Sequence, residues 1–192
     1  MLNKLSFDNI FIPRKIDEIE EKEKTRIQKI LQQEIIEGDL DLYGINWIED
    51  LGNVKEVRGS LDLHDSSIKS LGNLERVGGD LWLENTLVQS LGNLRYVGGS
   101  LDLRNTSIQS LGNLKYVGGH FDLHNSQIQS LGNLRYVGSS LWLNNTPIQS
   151  LGNLEYVGRR LYLQNTPLSK LPKKELNKIL SKIEIGQEVH VR

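Results

Sequence analysis

Residues 101–120 read LDLRNTSIQSLGNLKYVGGH, and the stretches on either side repeat it: Ser-Leu-Gly-Asn-Leu begins at Ser70, Ser90, Ser110, Ser130 and Ser150. The period is twenty residues without a slip, and a fixed period of that length marks an architecture in which each unit stacks on the next. The unit is L-x-L-x-N-T-x-I-x-S-L-G-N-L-x-x-V-G-G-x. Its apolar positions recur as faithfully as its glycines, for example Leu61, Leu63, Ile68, Leu71, Leu74 and Val77.

Two spacings inside the unit assign its local structure. Leu61 and Leu63 alternate with Asp62 and His64, the pattern of a strand with one face buried. Leu71, Leu74 and Val77 recur every third residue, which predicts a 3₁₀-like or polyproline-like return path too short for an α-helix. Gly78-Gly79 then turns the chain into the next strand. One such coil buries too little to fold alone, so neighbours must complete its core and pair their strands into a parallel sheet, about 4.8 Å per coil. Leu40-Asp41-Leu42 reads as a first strand, offset by 21 residues from Leu61, and Leu161-Tyr162-Leu163 as the seventh. The expectation is an elongated monomer of about seven coils with strands of three to five residues, roughly 30 to 35 Å along the stack.

This pattern resembles the leucine-rich repeat over residues 40 to 171, and its V-G-G-x-L-x-L turn is also similar to the L domains of growth-factor receptors. The resemblance implies a curved solenoid with parallel strands on its concave side, and a protein partner on that side. One departure is visible: Asn85, Asn105, Asn125, Asn145 and Asn165 fall two residues after the second strand leucine, earlier than the usual three, which predicts flatter curvature. A buried amide must satisfy its polar atoms, so these Asn are expected to form a buried ladder bonding the backbone of adjacent coils. The Thr or Ser after each would serve similarly, with Asp65 marking where the ladder frays.

A solenoid exposes an apolar cross-section at each end unless it is capped. Residues 1–38 read as an N-terminal helical cap: Ile16, Ile19, Ile27, Ile30, Leu31 and Ile35 fall near helical spacing, and Gly38 stands as the stop. The solenoid occupies 39–171. Residues 172–192 read as a C-terminal cap, with a helix over Lys173 to Ile183 and a small hairpin closing around Gly186. The lysines Lys170, Lys173, Lys174, Lys178 and Lys182 read as the solvated face of that helix.

Composition narrows function. With 23 Lys and Arg against 24 Asp and Glu, the net charge of −1 gives no bulk pull toward nucleic acid or anionic membrane. Cysteine is absent, which removes disulfides, thiolate metal sites and a Cys nucleophile together. The stretch from Met1 to Lys15 lacks the form of a signal peptide, so a cytoplasmic protein without a membrane span is expected. No P-loop, G-x-S-x-G elbow or H-E-x-x-H motif occurs, and neither catalysis nor a cofactor is expected.

The strand alternation leaves three outward columns per coil, and there the repeats differ from one another. The middle column reads Asp41, Asp62, Trp82, Asp102, Asp122, Trp142, Tyr162. Asp39, Ser60, Asp80, Ser100, His120, Ser140 and Arg160 flank it on one side. On the other stand Tyr43, His64, Glu84, Arg104, His124, Asn144 and Gln164. Trp, Tyr and Arg are the types enriched at interface hot spots, and large aromatics on an open sheet call for a cover. The face therefore predicts a protein-binding recognition module whose partner carries a basic patch, as in a host-interaction or inhibitor protein. Asp62, Trp82, Asp102, Arg104, His120, Asp122, His124, Trp142, Arg160 and Tyr162 are its candidate residues. His120, Asp122 and His124, with Asp102 beside them, are the nearest approach to a divalent-metal site; a polar patch without metal is the expectation. The alternative function is nucleic-acid binding along the return path, where Arg95, Lys115 and Arg135 stand beside Tyr96, Tyr116, Tyr136 and Tyr156, interrupted by Glu75 and Glu155.

Overall fold

A computed structural model of the protein describes residues 13–191, and the side chains from Glu20 onward. The stretch before Pro13, read above for a leader, lies outside the described residues, as do the side chains of Ile16 and Ile19. Over the described residues the chain is a β-solenoid of two parallel eight-stranded sheets, with a helix near each end. Every strand is two residues long, shorter than the three to five expected, because each coil also bends through two left-handed corners. The leucine-strand sheet contains β2 (Leu40–Asp41), β4 (Leu61–Asp62), β6 (Leu81–Trp82), β8 (Leu101–Asp102), β10 (Phe121–Asp122), β12 (Leu141–Trp142), β14 (Leu161–Tyr162) and β16 (Val189–His190). The second sheet contains β1 (Ile35–Ile36), β3 (Glu56–Val57), β5 (Arg76–Val77), β7 (Tyr96–Val97), β9 (Tyr116–Val117), β11 (Tyr136–Val137), β13 (Tyr156–Val157) and β15 (Glu184–Ile185).

That second sheet corrects the expectation of a 3₁₀-like or polyproline-like return path. Tyr-Val pairs from successive coils lie in register, as in Tyr116↔Tyr136 and Val117↔Val137. β-branched and aromatic residues suit a pleated, half-buried surface, and that preference outweighs the three-residue spacing. Between the sheets lies one continuous core. Leu61, Leu63, Ile68, Leu74 and Val77 of one coil are fully buried, as are their counterparts in the coils above.

Two left-handed positions close each coil. The serine of Ser-Leu-Gly accepts the glycine N–H two residues on, as Ser110 Oγ does for Gly112 at 3.0 Å, and that glycine holds φ of +55°. Polar side chains that mimic a backbone turn, followed by a residue free to take positive φ, are the expected chemistry of such a corner. The other corner is the Asn column, and here the expectation of burial fails. Asp65 and the five Asn hold φ between 56° and 59° and are exposed. Asn and Asp are the non-glycine types that tolerate this conformation, which is the backbone reason for the column. A ladder still forms, but outside: the Asn125 amide donates to Asn105 at 3.2 Å, Asn145 to Asn125 at 3.1 Å and Asn165 to Asn145 at 2.9 Å. Asp65, an acceptor only, takes the amide of Asn85 at 2.9 Å; it terminates the row rather than fraying it. The buried polar column is the next one. Thr86, Thr106, Thr146 and Thr166 donate their hydroxyls to the carbonyls of Leu83, Leu103, Leu143 and Leu163 at 2.6 to 2.7 Å.

The glycine pair has a spatial cause. A Cβ on Gly78, Gly98, Gly118, Gly138 or Gly158 would strike the carbonyl of the residue one coil earlier. A Cβ on Gly59, Gly79, Gly99 or Gly119 would strike Asp39, Ser60, Asp80 or Ser100. Those four side chains reach across to cap the N–H of the following coil: Asp39 Oδ1 takes Ser60 N–H at 2.7 Å and Asp80 Oδ1 takes Ser100 N–H at 2.6 Å. With His120 no such cap is made, and the second glycine gives way to Ser139 and then Arg159.

Both ends depart from the expected caps in detail. Helix α1 (Pro13–Ile30) stops eight residues before Gly38, because Ile35–Ile36 is drawn into register with Glu56–Val57. Its last turn covers the first coil: Ile27 is buried and the Leu31 carbonyl accepts Asn53 N–H at 2.9 Å. At the other end α2 (Lys173–Leu180) follows Pro172, but Ile183–Ile185 and Val189–Val191 form no hairpin. Glu184–Ile185 pairs parallel with Tyr156–Val157, and Val189–His190 with Leu161–Tyr162. The residue offset there is 28 rather than 20, and the eight extra residues are taken up by α2, itself eight residues long. Segment 184–191 is therefore one more coil carrying a helical insertion.

Candidate functional site

Seven coils were expected to place their middle outward residues in line, and strand register does so: Asp41, Asp62, Trp82, Asp102, Asp122, Trp142 and Tyr162 are successive partners. His190 continues the row as an eighth member. It was missed because its coil is displaced by the α2 insertion; the signal was that Val-His-Val repeats the Leu-Tyr-Leu pattern.

The row divides into halves of different chemistry. Toward the C-terminus it is aromatic. Trp142 stacks on Tyr162 with centroids 5.6 Å apart and planes 7° apart, Tyr162 stacks on His190 at 4.7 Å and 8°, and His120 leans on Trp142 at 5.0 Å and 37°. Trp142, Tyr162 and His190 are half-buried in this stack, and His120 is exposed. Toward the N-terminus the row is acidic. There Trp82 lies in register between Asp62 and Asp102, and with Asp39, Asp41, Ser60 and Asp62 it lines a hollow of about 220 Å³. The exposed ring of Tyr43 packs on His64 at 4.2 Å.

The aspartates have structural work that sequence reasoning did not foresee. In each Asp-x-x unit one carboxylate oxygen accepts the N–H two residues on: Asp41 for Tyr43 at 3.0 Å, Asp102 for Arg104 at 3.0 Å, and Asp122 for His124 at 3.0 Å. These bonds end the strand and start the corner. The residue that supplies the N–H also folds its side chain back. Arg104 Nε lies 2.9 and 2.8 Å from the two oxygens of Asp102, and its Nη2 reaches Glu84 at 2.7 Å. The Arg104 guanidinium is thereby held above its ordinary pKa, first by the Asp102 hydrogen bond, with the charges of Asp102, Glu84 and Asp122 adding and burial opposing. His124 Nδ1 pairs with Asp122 at 2.8 Å, and His64 pairs with Asp62.

His120 is not brought to the Asp122–His124 pair. Its ring turns to Trp142 and its Nε2 lies 3.4 Å from Ser139 Oγ. Among the described residues no group of three His, Cys, Asp or Glu is placed to hold a metal ion. Ser140, read as an outward flank, is buried, whereas Arg160 is exposed. Of the four histidines of the chain, His190 lies in a strand of this sheet and His64, His120 and His124 lie within two residues of its strands.

The opposite sheet carries the Tyr stripe. Tyr96, Tyr116, Tyr136 and Tyr156 stack at 4.7 Å with planes within 8°, and Arg76 covers the Tyr96 ring at 3.8 Å. Burial first, then the neighbouring Tyr136 and Tyr96, hold the Tyr116 phenol above its ordinary pKa. Of the three cations beside the stripe, Arg135 pairs with Glu155 at 3.2 Å and Arg95 approaches Glu75 at 3.9 Å. Its ring faces are thus taken up by each other, and most of its charge is compensated.

The fold and site define the class as a β-solenoid of roughly twenty-residue repeats with one chemically varied sheet face. The chain matches no family model, no curated protein and no solved structure. Among the described residues no helix is long and apolar enough to cross a membrane.

Proposed function

We propose that the protein is a non-catalytic recognition module that binds another protein through the outward face of its leucine-strand sheet. The observation that carries this reading is the contrast between a core repeated almost without change and a face on which aromatic, acidic and cationic residues vary from coil to coil. The half-buried stack of Trp142, Tyr162 and His190, with the exposed His120 leaning on Trp142, supplies rigid rings, the kind of surface that becomes the centre of an interface. Asp122 beside it, and Asp39, Asp41 and Asp62 at the N-terminal end of the same face, favour a partner with Lys or Arg at matching positions. The likeness to leucine-rich repeats belongs to this reading: both use leucine strands stacked in parallel, and the chain departs from that pattern in its second sheet and its early Asn. A cytoplasmic setting is also part of it, since a chain without cysteine needs no oxidising compartment.

The test is affinity for the partner recovered by crosslinking from the source cell. Trp142→Ala should weaken binding by about 2 kcal/mol or more, with the fold checked by thermal melting because the Tyr162 stack is lost too. Trp82→Ala, which breaks no ring stack among the described residues, should also weaken it. Tyr136→Ala on the opposite sheet should leave affinity unchanged. Loss of binding in Tyr136→Ala with both tryptophan variants unaffected would instead favour nucleic acid on the Tyr stripe, and a steep salt dependence would then follow.

A further inference from the structure

A net charge of −1 conceals a strong separation along the solenoid. Residues 34–66, the first coils, hold nine acidic residues against two basic ones, a formal −7. Residues 67–157 hold six of each and are neutral. Residues 158–191, the last coils with α2, hold seven basic residues against three acidic ones, a formal +4. The two charged ends are seven rung spacings apart, about 34 Å, on a scaffold whose sheets run unbroken between them. They cannot meet within one copy.

Ion pairing within the chain does not use these charges up. Glu34, Glu37 and Glu49 bridge Lys55, Arg58 and Lys69, but Asp39 and Asp41 have no cationic partner among the described residues. Each lends one oxygen to a backbone N–H and stands exposed at the rim of the Trp82 hollow. At the other end Lys173, Lys174 and Lys178 are exposed on α2, while Leu176 is buried and Ile179 and Leu180 are half-buried against the core. None of these three lysines makes an ion pair among the described residues. A helix that turns its apolar side inward and an unpaired cationic side outward thus matches, in charge and scale, an open acidic sheet face with a hollow wide enough for an ammonium group over an indole ring.

We infer that copies of this chain associate head to tail, the α2 lysines of one copy docking on the Asp39–Asp41–Trp82 end of the leucine-strand sheet of the next. Each copy then carries one donor and one acceptor surface, and such a heterologous contact propagates into open chains rather than closing on itself. The expectation of a monomer holds where salt screens the contact; chains grow as salt falls. This inference goes beyond the binding of a different protein and does not depend on it, since its test contains this chain alone.

The experiment is sedimentation velocity on the purified chain at roughly 100 µM in about 10 mM salt, where the Debye length is about 30 Å, and in about 1 M salt, where it is about 3 Å. The expected result is a weight-average mass rising with concentration beyond twice 21.8 kDa at low salt and returning to 21.8 kDa at high salt. Two variants separate the surfaces. Asp39→Asn/Asp41→Asn keeps the backbone-capping oxygens but removes the negative charge of the acceptor surface, and Lys173→Glu/Lys174→Glu/Lys178→Glu reverses the charge of the donor surface. Each alone should stay at the mass of one copy. Mixed in equal amounts, they should form a species of twice 21.8 kDa and stop there, because one intact donor meets one intact acceptor; that recovery also shows that both variants are folded. A wild type that stays single at low salt, variants that associate as the wild type does, or a mixture that fails to pair would each overturn the inference.

Discussion

Gly118→Ala tests the packing that fixes the rung spacing. At this residue φ is not in the left-handed region, so conformational strain is no part of the cost. The cost is contact: the new Cβ would overlap the Gly98 carbonyl oxygen and stand 3.0 Å from its carbon, where carbon–carbon contact prefers about 3.5 to 4.0 Å. Backbone on both sides is pinned by Gly118 N–H to Val97 O at 2.9 Å and Gly119 N–H to Gly99 O at 2.8 Å. Relief by about 1 Å would stretch both bonds past the range in which they hold. Losing two net hydrogen bonds at about 1 kcal/mol each, and leaving a buried group unsatisfied at about 1 to 3 kcal/mol, gives a destabilisation of about 3 to 5 kcal/mol. Gly132→Ala is the matched control. Its φ is +54° with nothing within 4 Å of the new Cβ, so the cost is conformational alone, about 1 to 2 kcal/mol. Urea unfolding followed by far-UV circular dichroism measures both. Equal costs, or a Gly118→Ala cost below about 1 kcal/mol, would refute the claim that carbonyl approach between coils dictates this glycine.

Three further outcomes follow from named residues. Asn125→Gly should be nearly neutral in the same assay and Asn125→Ala should cost about 1 kcal/mol, because the column exists for positive φ and not for burial; the reverse order would restore the buried-ladder reading. Ser126→Thr should raise stability by about 0.5 to 1.5 kcal/mol, since the buried Ser126 hydroxyl lacks the bond that Thr106 makes to Leu103, and a loss would show that the added methyl does not fit. For Tyr116 the folded state holds the phenol proton more tightly than the unfolded chain does. Its contribution is therefore complete below pH of about 10 and is lost as pH rises through the higher folded value; pH melts of Tyr116→Phe should show a shallower alkaline decline than wild type.

The repeat, the strand leucines and the outward columns were legible in the sequence because strand alternation and a twenty-residue period both map directly onto position in a solenoid. Tyr-Val was read as return path because its one-in-three apolar spacing conceals a two-residue strand; cross-coil pairing, which no single repeat displays, makes it a sheet. Asn was read as buried because a polar ladder and a left-handed corner leave the same mark in sequence. The eighth coil was hidden by the α2 insertion, and with it the His190 end of the aromatic row. Of the site, the register of Trp82, Trp142 and Tyr162 could be read in advance. What the aspartates do could not, since an Asp that caps its own turn and one that awaits a partner are the same letter.

The claim that the leucine-strand sheet is the recognition face has one direct measurement. Diethyl pyrocarbonate modifies accessible histidines, and the exposed His120 immediately precedes a strand of that sheet, while Tyr96, Tyr116, Tyr136 and Tyr156 on the other sheet report through nitration. Footprinting the free protein against its complex with the recovered partner should show His120, the exposed histidine that leans on Trp142, protected with the tyrosines unchanged. Protection of the four tyrosines with His120 as reactive as in the free protein would place the partner on the opposite face and contradict the proposal.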